Sequence, residues 1–262
     1  MGRKPRWSTL KNRNGVAVIK LSSWKYFSDY VNQELLAYRS YVFRGHANSE
    51  WKLEPTLDRV VKHPRSYKRE KLLEAFKYET RGRRGANPPS IQEDNDWWAL
   101  GQHHGLKTPL LDWSESPFVA LYFAASSAYK EKTKEMAVYA FYQTSASIFN
   151  KHIEQSETVK LVNNQKPTLS IVRPLSDENS RLVSQRGLFT RSPNNMDLEE
   201  WVTAFNTYTD GEMVIIKILI PTKDIQSCLK YLNRMNINSS TLFPDLTGAS
   251  DYCNYLIELD GY

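Results

Sequence analysis

The apolar positions of the chain fall into two recurring patterns. Short runs rich in β-branched and aromatic residues at 15–21 (GVAVIKL), 41–46 (YVFRGH), 136–142 (MAVYAFY), 168–173, 188–190 (LFT) and 213–221 (MVIIKILIP) predict strands. Elsewhere apolar residues return at helical spacing. Ser22 is placed to cap a stretch carrying Trp24, Phe27, Tyr30, Val31 and Leu35, and a charged helix with a narrow stripe of Leu72, Leu73, Ala75 and Phe76 is expected over 63–84. Further helices are expected over 177–185, 198–207, 223–235 and 249–259. Strands and helices are mixed in order, so the expected fold is α+β: a single domain with a central mixed or antiparallel β-sheet flanked by helices.

The stretch 99–125 (ALGQHHGLKTPLLDWSESPFVALYFAA) departs from both patterns, because a polar cluster of Gln102, His103, His104, Thr108, Asp112, Trp113 and Ser114 runs directly into an apolar helix. Asp94 and Asp96 mark the start of a helix through Trp97, Trp98 and Leu100. Gly105 suits the left-handed residue that ends it. The histidines then sit in the last turn, where the helix end favours imidazolium. Ser114 or Ser116 caps the next helix, with Pro117 in its first turn. Asp112 and Ser114 are expected near that N-terminus, among backbone N–H groups able to bind an anion. The plain alternative is that they only cap the helix and that His103 is a core histidine.

Arg44 is the second unusual position, a charge at the end of an apolar strand and just before Gly45. A guanidinium there needs a carboxylate partner or an anion, so it either forms a structural salt bridge or clamps a phosphate or pyrophosphate.

Composition narrows the choices. With 40% hydrophobic and 24% charged residues the chain is an ordinary globular one. The basic start, MGRKPRWSTLKNRNG, lacks a secretory apolar core, and residues 1–14 are expected to be flexible and to lie outside a domain at 15–262. No apolar run is long enough to span a bilayer, and Cys228 and Cys253 follow no metal-ligand spacing, so a cytoplasmic protein without membrane association or a metal is expected. Adjacent His103 and His104 should point apart on a helix and not share an ion. A net charge of +6 permits nucleic-acid contact. GxGxxG, GxxxxGK[ST], GxSxG and HExxH are all absent, which argues against dinucleotide-fold, P-loop, hydrolase and zinc-protease chemistry.

Taken together these residues resemble the FRG domain family. Phe43-Arg44-Gly45 followed by 51–57 (WKLEPTL) resembles its opening motif. Gln102, His103, Gly105, Thr108, Leu110, Leu111, Asp112 and Trp113, then Ser116-Pro117 and 120–124 (ALYFA), resemble the second. Ser180-Arg181, Gln185, Gly187 and Phe189 resemble a third, and 241–246 (TLFPDL) with Gly248 a fourth. Two departures stand out: Lys107 and Pro109 replace the usual residues flanking Thr108, and Thr247 stands where an acidic residue is common, which leaves Asp245 the only carboxylate there. FRG domains are a bacterial and phage module, and the resemblance implies a role as a toxin or anti-phage defence effector. A strand ending in aromatic-Arg-Gly also resembles the first strand of ADP-ribosyltransferases, which implies NAD as substrate and an ADP-ribosyltransferase-like fold.

Two functions follow as expectations. In the first, an NAD-using transferase or glycohydrolase, Arg44 takes the pyrophosphate, with Gly45, Thr108 and Gln185 beside it. Phe189 or Trp113 stacks on nicotinamide, His103 orients ribose hydroxyls or acts as acid/base, and Asp112 or Asp245 stabilises the developing cation. The Glu-x-Glu or Gln-x-Glu signature of most such transferases is missing. In the second, a binding module without catalysis recognises nucleic acid or a phosphorylated ligand through Arg44, Lys107 and the cationic helix. The first has a nucleotide-like small molecule as partner, with a protein or nucleic-acid acceptor.

Overall fold

Residues Met136 to Phe141 are fully buried, and successive side chains enter different apolar clusters: Met136, Val138 and Ala140 join one, and Ala137, Tyr139 and Phe141 the other. A strand that is apolar on both faces belongs in the middle of a covered sheet. The computed structural model, which describes residues 5–174, 180–206 and 213–262, places it there.

The strands are β1 (Trp7–Arg13), β2 (Val16–Leu21), β3 (Tyr41–His46), β4 (Leu111–Ser114), β5 (Glu135–Tyr142), β6 (Ser170–Val172), β7 (Gly187–Arg191) and β8 (Ile215–Pro221). They form one mixed sheet in the order β1-β2-β8-β5-β3-β4-β7-β6, in which β2 and β8 are parallel and every other pair antiparallel. The helices are α1 (Phe27–Tyr30), α2 (Thr56–Val60), α3 (Lys68–Glu79), α4 (Asp94–His103), α5 (Pro117–Glu131), α6 (Thr144–Gln155), α7 (Ser180–Ser184), α8 (Leu198–Phe205), α9 (Ile225–Arg234), α10 (Ser239–Leu242) and α11 (Leu246–Glu258). Apolar side chains of α1, α5, α9 and α11 pack on one sheet face, and those of α6 and α8 on the other. A third cluster joins α2, α3 and α4 to Phe189 of β7. This is the expected α+β arrangement.

Several local expectations are corrected. The basic segment expected to lie outside the domain supplies its first strand, whose polar residues are exposed because β1 pairs only with β2, at the sheet edge. Ser23 rather than Ser22 caps the first helical stretch, with its hydroxyl accepting from Lys25 N. The charged helix is shorter than 63–84, running only over Lys68–Glu79. Within 177–185, only Ser180–Ser184 is a described helix, and residues 177–179, like Thr207 of the expected 198–207 helix, lie outside the described residues. Strand β4, helix α6 and helix α10 fall where no element was expected.

A buried ion pair ties α2 to α3. Arg69 Nη1 donates to Asp58 Oδ1 (2.7 Å), and its Nη2 donates to Val61 O (3.0 Å) and Asn195 Oδ1 (2.9 Å). Asn195 N closes the network by donating to Asp58 Oδ2 (3.0 Å). Burial raises the Asp58 pKa, and the guanidinium opposes that rise. Removing one member leaves the other charged and desolvated, so Asp58→Ala is expected to cost about 3–5 kcal/mol. Urea unfolding measures this, and a loss no larger than that of an exposed ion pair would contradict it.

Candidate functional site

β3 pairs with β5 at all six of its positions, yet it meets β4 at one, Phe43 opposite Ser114. β4 in turn pairs with β7 along its whole length. Beyond Phe43 the two strands part, and backbone groups that a continued ladder would satisfy need other partners. Arg44 supplies one, because its Nη1 donates to the Asp112 carbonyl (2.8 Å) and to Asp112 Oδ2 (3.3 Å). Its Nε donates to His46 Nε2 (2.9 Å). The salt-bridge reading of Arg44 therefore holds, but the pair spans a gap in the sheet and does not close it.

That gap opens into a cleft of about 310 Å³. Phe43, Arg44 and Gly45 of β3 line it from one side, and Asp112 and Ser114 of β4 with Phe189 of β7 from the other. Gln102 and His103, at the C-terminal end of α4, also reach it, as do Phe123 of α5, Arg181 of α7, Gln185 just after α7, and Phe243 after α10. Arg44, His103 and Asp112, drawn from three separate elements, thus share one cavity. Two guanidiniums and several aromatic rings suit an anionic ligand with a flat group.

The local geometry follows from the chain. Gly105 is left-handed (φ 84°) and ends α4, which leaves His103 on the last turn. His104, already outside the helix, turns its ring to within 4.7 Å of His103, edge to face, so the two rings do not point apart as expected. Among the described residues no group of three or more His, Cys, Asp or Glu could hold a metal ion. Ser116 caps α5 by accepting from Val119 N (3.4 Å), with Pro117 in the first turn, as expected. Asp112 and Ser114 lie on β4, not on that helix end.

Alternation along β4 decides which of its residues face the cleft. Asp112 points one way with its side chain 59% exposed, whereas Leu111 and Trp113 enter the cluster on the other face. The Trp113 indole packs against Phe141 and donates to Thr190 Oγ1 (2.9 Å), and the residue also lines the cleft. Both expected rings, Phe189 and Trp113, line the cleft.

Three more expected residues act through neighbours. Thr108 is fully buried, and its hydroxyl donates to Gln102 Oε1, so it orients a residue of the cleft without lining it. Asp245 does not reach the cleft. It caps α11 by accepting from Gly248 N (3.0 Å) and holds Arg181 Nε (2.7 Å), and these two contacts hold its carboxyl below the usual range. Gln185 donates from Nε2 to Leu242 O (3.0 Å), which fixes α10 over the cleft. Gln102, Phe43, Phe123, Arg181 and Phe243 line it although no site role was expected of them. For all five, membership of the sequence motifs was the available signal.

Gly45 serves packing. A Cβ there would stand 2.1 Å from Ala120 O and 2.6 Å from Ala124 N, so α5 can lie this close to β3 only over glycine. His46, next along β3, is 3% exposed, and burial foremost, then Arg44, pushes its pKa from 6.5 down to about 2. The Nε2 lone pair that accepts from Arg44 requires the neutral ring.

A protein-family model described as FRG domain matches residues 39–133, which include β3, α4, β4 and α5. That part of the chain is similar to the FRG domain family. Neither a search of the curated proteins nor one of the solved structures gives a match. Among the described residues no helix is long and apolar enough to cross a membrane.

Two predictions come from this part of the structure. Gly45→Ala is expected to lower stability by about 1–3 kcal/mol or more in chemical denaturation, and an unchanged midpoint would contradict the close approach of α5. For His46, the unfolded imidazole binds a proton near pH 6.5 and the folded one only near pH 2. Stability from this group is therefore complete above pH 6.5 and drains away as the pH falls toward 2, by up to about 1.4 kcal/mol per pH unit. Urea midpoints from neutral to mildly acid pH measure the slope, which should flatten in His46→Gln, and a variant as acid-sensitive as wild type contradicts the assignment.

Proposed function

We propose that the cleft binds NAD and cleaves the bond between nicotinamide and ribose, as an ADP-ribosyltransferase or NAD glycohydrolase. The observation that supports this reading is the convergence of Arg44, His103 and Asp112 on one aromatic-walled cavity. Among the described residues the hydrogen bonds of Arg44 use Nε and Nη1, which leaves Nη2 to a pyrophosphate oxygen. A volume of about 310 Å³ is at the small end for ligand pockets, so the cavity fits the nicotinamide and its ribose, with the adenosine outside.

In the reaction the C1′–N bond breaks and nicotinamide leaves with the bonding pair, as a neutral base. The ribosyl oxocarbenium is captured by water or by an acceptor hydroxyl, amine or carboxylate, and any displaced proton passes to His103. Asp112 faces the forming cation, and its bond to Arg44 fixes where that charge lies. Phe189, beside Asp112 across the β4–β7 ladder, offers the apolar surface for the leaving ring.

Incubation with NAD and measurement of released nicotinamide tests the proposal. Wild type is expected to release it, Arg44→Ala to lose the activity while staying folded, and His103→Ala to lose about 10²–10⁴-fold. Wild type that leaves NAD intact with and without DNA, RNA or protein acceptors would overturn the enzymatic reading. Salt-sensitive binding without turnover would instead assign a recognition module.

A further inference from the structure

Helix α4 and strand β7 both run from the cleft to a second cavity at their other ends. Gln102, His103 and Phe189 line the first, whereas Asp94, Trp98 and Arg191 line the second, which measures about 480 Å³. The second cavity is strongly polar, and four cationic side chains, Arg65, Arg69, Lys166 and Arg191, face two carboxylates, Glu70 and Asp94. The balance stays cationic: Arg69 is paired with Asp58 and Asp94 with Lys77 (2.6 Å), and Glu70 is exposed at the rim, against Arg65, Lys166 and Arg191.

Arg191 stands out within this group. Its Nη1 donates to the neutral amide oxygen of Asn95 (2.7 Å), and no carboxylate pairs with it among the described residues. Burial lowers its pKa, with Arg69 adding to that effect and Asp94 and Asp58 opposing it, which marks a desolvated cation whose counter-charge is incomplete. The residue behind it gives independent support. Ser192 is 5% exposed and lines the same cavity, and its Oγ has no hydrogen-bond partner among the described residues. A buried hydroxyl without a partner, next in the chain to a half-buried guanidinium that has no carboxylate among the described residues, is costly unless something polar joins them.

We propose that this cavity is a second binding site, for a small phosphorylated molecule, whose phosphate is held by Arg191, the Ser192 hydroxyl and the rim cations Arg65 and Lys166. Donors arriving from several directions suit a tetrahedral, multiply charged group better than a planar carboxylate, which one guanidinium satisfies. Leu57, Trp98 and Pro109 give the organic part an apolar floor. The cavity shares no lining residue with the cleft, so occupancy here does not depend on the NAD reading.

Isothermal titration of the full chain with ribose 5-phosphate and, separately, inorganic phosphate tests this. Saturable binding of ribose 5-phosphate is expected, weakened about tenfold or more in Arg191→Gln and less in Ser192→Ala, and unchanged in Arg44→Gln. If Arg191→Gln fails to fold, the exposed pair Arg65→Ala with Lys166→Ala replaces it and should weaken binding in the same direction. Binding lost in Arg44→Gln but kept in the second-cavity variants would overturn the site. So would no saturable binding of ribose 5-phosphate, or binding of inorganic phosphate alone.

Discussion

One residue pair, Phe43 opposite Ser114, joins the two halves of the sheet. On one side β1, β2, β8, β5 and β3 form a continuous ladder, and on the other β4, β7 and β6 form a second. A sheet held at one pair and parted beyond it exposes backbone polar groups at its centre, where water is otherwise excluded. Arg44 resolves that cost by reaching a carbonyl of β4 with its side chain. The same contact holds a cation and a carboxylate at the mouth of a cavity. The guanidinium that stabilises the parted strands is thus the one that the NAD proposal places on the pyrophosphate.

The surroundings keep that arrangement fixed. His46 stays neutral and accepts from Arg44, and Gly45 lets α5 press against β3 at backbone distance. Arg181 is held by Asp245, which is itself fixed as the cap of α11, so the far wall is braced in the same way. Residues behind the cleft, including Thr108 and Asp245, hold in place residues that face it. Such support is what allows polar groups to keep a geometry that a ligand can use.

Much of this was legible in the chain. Gly105 and the Ser116-Pro117 pair mark helix ends through backbone preferences that neighbours do not override, and both stand where expected. The charge of Arg44 after an apolar run correctly signalled a partner or a ligand. Strand β4 was not legible, because four residues that include Asp112 and Ser114 carry too little alternation to separate from a helix cap. Without a strand there is no period of two to separate Asp112 from Leu111 and Trp113, which enter the apolar cluster on the other face. β1 was hidden for a different reason, since an edge strand with a solvated outer side needs no apolar pattern. Asp245 read as a site carboxylate because it is the one acid left in the fourth motif, whereas the fold uses it to cap α11 through Gly248.

Amide hydrogen exchange with and without added NAD probes the parted strands directly. Bound NAD should slow exchange at Phe43–Gly45, along Leu111–Ser114 and near Phe189, where the two ladders diverge, and should leave the β1–β2 edge unchanged. Protection spread evenly over the chain, or none at these residues at saturating NAD, would contradict a ligand seated between β3 and β4.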